Sequence, residues 1–237
     1  IETVGHMEAY ESVNIMAQVD GILLKTFFDD GSDIKKGELL YLIDERPYLA
    51  DLEKAEGELS QNIANLGYAE RTAERNSKLV KDDYISENDY DNLINSVIVN
   101  NSKVKQSRAD VENAKINLGY TKIYSPLDAR ASDSQIDDGN LVLESAKTNL
   151  VTLNQIAPIY ATFFINEKML PEIQYYKNKN KNLKTLIKLD NKDSSTYEGL
   201  LTFVDNSIDL STGMIKLKAT LPNSQKVLWP NQYVKVK

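Results

Sequence analysis

The 237-residue chain has no cysteine, one histidine, 10 glycines and 6 prolines. Without cysteine there is no disulfide framework, no thiolate zinc site and no thiol nucleophile. One histidine cannot build a multi-histidine metal site. His6 also lacks a Ser or Cys partner motif, so it reads as a surface or strand-edge residue. Glycine falls below the roughly 7% of average usage, which points to long uninterrupted elements. No stretch approaches the ~18 apolar residues of a membrane span; clusters such as Ile22-Leu23-Leu24 are short. Ile1-Glu2-Thr3-Val4 has neither the basic nor the apolar region of a signal peptide. Opening as if inside a strand, the chain is expected to be a mature or trimmed form. Basic surface is scarce as well. A net charge of −7 argues against non-specific nucleic-acid binding, which needs a basic footprint. No P-loop, G-x-G-x-x-G or G-x-S-x-G motif occurs, so no catalytic constellation is visible. With 41% hydrophobic and 27% charged residues, the composition is that of a globular protein.

The chain repeats itself at an offset of 108 residues. Val19-Asp20-Gly21 followed by Asp29-Asp30-Gly31 recurs as Leu127-Asp128-Ala129 followed by Asp137-Asp138-Gly139. Asp-Gly before an apolar run marks a turn between strands. A second apolar stretch follows each copy, Leu39–Ile43 and Leu150–Leu153. Each half is expected to form a small hairpin unit, and the two halves to pack face to face as a sandwich. The repeated Asp pairs read as turn residues; they do not fit the EF-hand spacing.

Between the copies the pattern changes to a period of seven. Leu52, Leu59, Leu66, Ala73 and Val80 form one series; Tyr90, Val97, Val104, Val111 and Leu118 form another. Period seven is a coiled-coil seam. The series mirror each other, Leu66 opposite Val104 for example, which predicts an antiparallel hairpin with its apex near Ile85. Ser86 before Glu87-Asn88-Asp89 is a plausible N-cap, with acids where the helix dipole favours them. Each helix would be about 50 Å long at 1.5 Å per residue. The second row, Ala55, Asn62, Ala69 and Asn76 against Leu93, Asn100, Ser107 and Ala114, is small and polar. It buries little apolar area, so the hairpin should be only moderately stable alone and gain from side-by-side partners.

Beyond the second half the chain reads as β again. Ile159–Phe164 is a strand, Asn166-Glu167-Lys168 opens a short helix to about Tyr176, and strands are expected over Leu186–Leu189, Tyr197–Val204 and Met214–Leu221. This is a small antiparallel barrel with one helix. Val234-Lys235-Val236 ends the sequence mid-strand, which suggests an edge cut at Lys237. The stretch Tyr175–Lys181 is basic and aromatic and reads as a solvated loop. The fold class is therefore α+β, elongated and multi-domain. It comprises an N-terminal strand (1–11), a first half-motif (12–47), a helical hairpin (48–120), a second half-motif (121–156) and a barrel (157–237).

These residues resemble the periplasmic adaptors, or HlyD-like membrane fusion proteins, of tripartite RND-type efflux pumps. The likeness rests on lipoyl-like half-motifs flanking a helical hairpin, Gln18–Ile22 with Gly31–Asp44 and then Leu118–Asp128. Phe203-Val204-Asp205-Asn206 and Asp209–Gly213 in the barrel add to it. The family's hairpin-tip pattern of Arg, three residues, Leu, six residues, Ser is met by Arg75, Leu79 and Ser86. The resemblance implies that these three meet the helical tip of an outer-membrane channel of the TolC type. It further implies an inner-membrane RND transporter as partner, a ring of six copies, a periplasmic location, and an anchor and membrane-proximal domain outside this chain. No enzyme activity and no cofactor are implied. Adaptors of ABC-type exporters remain an alternative, although a hairpin of about five heptads is short for toxin secretion. A biotin or lipoyl carrier component is a more distant one, because the hairpin replaces the turn that would hold a modified lysine. Departures from the family are Ala129 where a glycine is usual, which would strain a left-handed turn, Met214 in Thr212-Gly213-Met214, and Asn231 after Pro230.

Overall fold

The computed structural model describes residues 2–179, 182–189 and 195–237. β1 (Thr3–Ala9), β2 (Ser12–Met16), β3 (Gly21–Thr26), β4 (Asp33–Ile34) and β5 (Leu39–Ile43) precede two long helices, α1 (Arg46–Lys81) and α2 (Glu87–Tyr120). β6 (Lys122–Tyr124), β7 (Ala129–Ala131), β8 (Leu141–Val142) and β9 (Asn149–Asn154) follow. The last part comprises β10 (Ile159–Asn166), α3 (Leu170–Lys179), β11 (Lys184–Leu189), β12 (Thr196–Asp209), β13 (Met214–Leu221) and β14 (Tyr233–Val236).

Each repeat copy keeps an antiparallel pair of its own, β3 with β5 and β7 with β9, in opposite sheets as expected, but the copies exchange the strands that flank these pairs. One sheet runs β2-β9-β7-β4 and the other β6-β5-β3-β8, each mixing strands from both copies. The pairing Gly21↔Val142 in one sheet becomes Ile34↔Ala129 in the other when the copies are swapped at the 108-residue offset. Side chains obey the same exchange. Thr26 Oγ1 donates to Asp138 Oδ1 at 2.9 Å, and Ser134 N donates to Asp30 Oδ1 at 2.8 Å. The second residue of each Asp pair thus stitches one copy to the other. Gly31 and Gly139 take left-handed φ of +71° and +91° after these Asp pairs, as a turn there requires. Ala129 lies in extended β7, so the strain expected there does not arise.

Leu23, Leu40, Ile43, Leu150 and Leu153 fill the sandwich, fully enclosed. Tyr41 sits among them. Its hydroxyl donates to Leu150 O at 3.1 Å and lies 2.9 Å from Ser134 Oγ, tying β5 of the first copy to the second. Burial pushes this phenol up to about 12.

The remaining strands close a barrel in the order β1-β10-β13-β12-β11-β14. β14 is not a cut edge. It pairs with β1 on one side and β11 on the other, so its backbone groups are met from both sides. β12 runs well past Val204 because two register irregularities let it bend along β13. Ile159, Ile187, Leu217 and Ala219 line the interior. α3 packs over it through Ile173 and Leu170. The stretch read as a loop from Tyr175 is helical through Lys179, with Lys179 over the Tyr175 ring at 5.7 Å; its last two positions lie outside the described residues.

Sandwich and barrel are joined by two chain crossings that pair with each other. Tyr10 N donates to Gln155 O, Gln155 N donates to Glu11 O, and the Tyr10 and Tyr160 rings stack at 4.7 Å. The loop between β13 and β14 adds contacts to the sandwich. Lys226 bonds Asp33 at 2.5 Å, and the Arg130 guanidinium lies 4.8 Å from the centre of the Trp229 ring. Asn231 in this loop adopts φ +65°, a conformation that Asn tolerates.

Candidate functional site

The hairpin grows out of the sandwich between β5 and β6, where its root is clamped. Asp44 is largely enclosed and receives Arg46 Nη2 at 2.6 Å, Arg46 Nε at 2.9 Å and Arg46 N at 3.1 Å. These hydrogen bonds hold the Asp44 carboxyl down at about 2. Glu45, on the way into α1, pairs with Lys122, just past α2, at 2.8 Å. Ile43 N donates to Thr121 O and Asp44 N to Ile22 O, so both helix ends are bonded into the sandwich. Pro47 falls in the first turn of α1, where its missing N–H costs nothing.

Along the helices the two seam rows are the contact face. Every residue of α2 that is not fully exposed belongs to one of them. The seam is thin, as its composition demands. Only Ala69, Ala73, Val104, Ser107 and Val111 are buried. One polar bond crosses it, Asn62 Nδ2 to Ser107 Oγ at 2.7 Å, and it agrees with the mirrored register. Apolar side chains also remain on the outer faces, Ile63 and Tyr68 on α1 and Ile94 and Ile98 on α2.

At the tip α1 ends in a Schellman motif. Tyr84 N bonds Leu79 O at 2.9 Å and Asp83 N bonds Val80 O at 3.3 Å. Asp83 takes the left-handed position, φ +58°, where glycine is the usual occupant. With no glycine at that position, this cap leaves no mark in the sequence. α2 restarts at Ser86, whose Oγ accepts Asp89 N at 3.1 Å and donates to Asp89 Oδ2 at 2.7 Å. Ser86 is therefore the N-cap read from the sequence, with Glu87 and Asp89 in the first turn. Arg75 and Leu79 sit one turn apart on one face of α1. Arg75 Nε makes a long local bond to Arg71 O, 3.3 Å, and leaves the guanidinium exposed. Leu79 is 40% exposed. Ser86 lies across the turn, at the start of the other helix. Sequence reasoning missed Tyr84, which is 77% exposed between the two helices. A large aromatic residue in an otherwise polar turn was the available signal.

The Asp pairs of the two turns are used structurally. Asp30 and Asp138 are spent on the cross-copy bonds, and among the described residues no group of His, Asp or Glu could hold a metal ion. No helix among the described residues is long and apolar enough to cross a membrane.

Comparison with known proteins accounts for the whole arrangement. Residues 11–154 match the family described as RND MFP, barrel-sandwich hybrid domain, and residues 158–237 match RND MFPs, beta-barrel domain. The multidrug efflux pump subunit AcrA of Escherichia coli is 35% identical over 100% of this chain and 61% of its own length. The multidrug resistance protein MdtA of Proteus mirabilis is 32% identical over 100% of this chain and 58% of its own. The chain thus spans about three fifths of these relatives. Among solved structures, MacA from Actinobacillus actinomycetemcomitans superposes with a TM-score of 0.77 at 21% identity, covering 100% of this chain and 77% of that one. A MacA-MexA chimera carrying the Pseudomonas aeruginosa MexA α-hairpin gives 0.68 at 24%, covering 100% and 79%. Both likenesses concern the fold.

Proposed function

The chain belongs to the membrane fusion proteins of RND-type pumps, and from that premise we propose that it is the periplasmic adaptor of a tripartite drug-efflux pump. It links an inner-membrane RND transporter to an outer-membrane channel of the TolC type. It has no catalytic role; it works by contact and by sealing. The observation that carries this reading is the hairpin itself, clamped at its root by Asp44-Arg46 and Glu45-Lys122 and offering Arg75, Leu79 and Ser86 at the far end. Arg75 brings several donors for the carbonyls or carboxylates of another helical tip, and Leu79 an apolar knob. Ser86 adds a compact hydroxyl.

Several copies side by side form the conduit. Two features support self-association. The hairpin seam leaves apolar residues outside it, and the sandwich has an outward patch of Ile22 and Leu24 on β3, Leu141 on the neighbouring β8 and Leu143 just past it. Lateral neighbours would supply the burial that the two-helix seam lacks. The test is drug resistance in cells carrying the full-length protein. Arg75→Asp and Ser86→Arg are expected to abolish resistance at unchanged expression, and a photo-crosslinker at position 86 to capture the outer-membrane channel. Normal resistance in both variants refutes the docking role.

A further inference from the structure

We propose that the end of the barrel beneath α3 is a binding site for a compact apolar amine. A cavity of about 260 Å³ lies there, walled by Phe163, Ile165, Leu201 and Leu217 from the barrel and by Ile173 from α3. A six-stranded barrel is narrow enough for its own side chains to fill, and Ile159, Ile187 and Ala219 do so further in. At the α3 end the filling stops short.

Polar groups at two depths set the class of ligand. Thr185 is on the inward row of β11, is buried, and lines the cavity. No hydrogen bond of its hydroxyl is seen among the described residues, and the oxygen is not sealed off but open to the cavity. A hydroxyl open to the cavity can donate to or accept from a polar group of a ligand seated there. The rim carries Glu172 on α3, Lys184 on β11 and Lys237. Both lysines are neutralised, Lys184 by Glu198 at 3.2 Å and Lys237 by Glu2 at 3.0 Å. Glu172 has no ion pair among the described residues. Among the described residues the charge left over at the mouth is therefore negative. An apolar wall, one inner hydroxyl and one outer carboxylate suit an aromatic or alicyclic body with an ammonium head. This site is independent of the adaptor reading, since it uses no hairpin residue.

The test is titration of the 237-residue chain with 1-naphthylmethylamine, 1-naphthylmethanol and 1-naphthoic acid, followed by calorimetry and methyl NMR. The amine is expected to bind once per chain with a dissociation constant of roughly 0.05–1 mM, in the range of ligands of this size. The methyl resonances of Ile165, Ile173 and Leu217 should move. Glu172→Gln is expected to weaken the amine by about two- to fivefold, the scale of a solvent-exposed charge pair, and to leave the alcohol unchanged. Leu201→Phe, which fills the cavity, should abolish binding of both while the melting transition persists. If that variant fails to fold, the methyl shifts of the unsubstituted protein decide. Absence of saturable binding, unmoved barrel methyl groups, or naphthoic acid binding as well as the amine overturns the proposal.

Discussion

The single polar bond across the hairpin seam allows its energetics to be isolated. Asn62 donates to Ser107 at 2.7 Å; Ser107 is buried and Asn62 is half-buried. Removing either partner alone confounds two effects, because alanine is also a better helix former than Asn or Ser by up to ~0.7 kcal/mol. A double-mutant cycle of Asn62→Ala and Ser107→Ala cancels that propensity gain, since it enters both legs. The coupling that remains is the net worth of the bond, about 0.5–1.5 kcal/mol. Asn62 can regain water through its exposed side, so a value near 1 kcal/mol is expected. A further variant separates affinity from specificity. Asn62→Leu with Ser107→Ala replaces the bond by apolar contact. Half-burial of a leucine contributes about 1 kcal/mol, and the helix propensities add a few tenths. That variant should be at least as stable as the parent. Urea unfolding followed by circular dichroism at 222 nm reads the hairpin almost alone, because α1 and α2 hold 36 and 34 helical residues against ten in α3. A coupling indistinguishable from zero, or a Leu/Ala variant that unfolds first, refutes the account of the seam.

Three other perturbations follow from the geometry. Asp83→Gly should stabilise the hairpin by about 0.5–1 kcal/mol, because the left-handed position strains any residue with a Cβ; a lower urea midpoint would contradict this. Tyr41→Phe should cost the sandwich about 0.5–1.5 kcal/mol by removing the hydroxyl's bonds to Leu150 O and Ser134 Oγ, with Leu150 O still accepting from Gln135 N, read by calorimetry. Because burial raises the Tyr41 phenol to about 12, its contribution is intact below the unfolded value near 10 and is lost as pH climbs towards 12, so the variant should lack that alkaline loss. The Asp44 carboxyl has the opposite sign. Held down at about 2 by Arg46, it stabilises the root above the unfolded value near 3.9 and loses that effect as pH falls towards 2. Asp44→Asn should flatten the acid limb of a stability-versus-pH curve; an unchanged slope would show that the clamp contributes nothing.

Periodicity carried the helices. A seven-residue repeat mirrored about one point has few structural solutions, and the exposed and half-buried positions of α2 follow it residue by residue. The Ser86 cap was legible for the same reason, since a serine followed by acids before a heptad run is local chemistry. The strand exchange was not legible. A repeat says that two segments are alike; it does not say that β4 and β8 leave their own copy's pair, β3 with β5 or β7 with β9, to flank the other's. Both topologies satisfy the same apolar pattern, and the choice is made by non-local bonds such as Thr26 to Asp138 and Ser134 to Asp30. Barrel closure was hidden likewise. Val234-Lys235-Val236 looks like a free edge only until β1, more than 200 residues earlier in the sequence, comes beside it. At the tip, Arg75, Leu79 and Ser86 were singled out by the family resemblance, whereas Tyr84 belongs to no period and was passed over.

The exchange has a mechanical consequence for the hairpin. Were each copy its own unit, α1 would leave one unit and α2 enter another, and a relative slip of the units would shear the helices against each other. With strands exchanged, β5 and β6, which lead into α1 and out of α2, are hydrogen-bonded neighbours in one sheet. Both helix ends therefore move as one body with that sheet, fixed further by the Glu45-Lys122 pair and by Ile43 N to Thr121 O. The stability gradient runs outward from there. The sandwich encloses large side chains completely, whereas the seam above it buries two alanines, two valines and a serine. Local opening follows burial, so the helices separate more readily than their base. A firmly held root beneath a weakly sealed pair of helices leaves the seam as the part that a neighbouring hairpin can stabilise most.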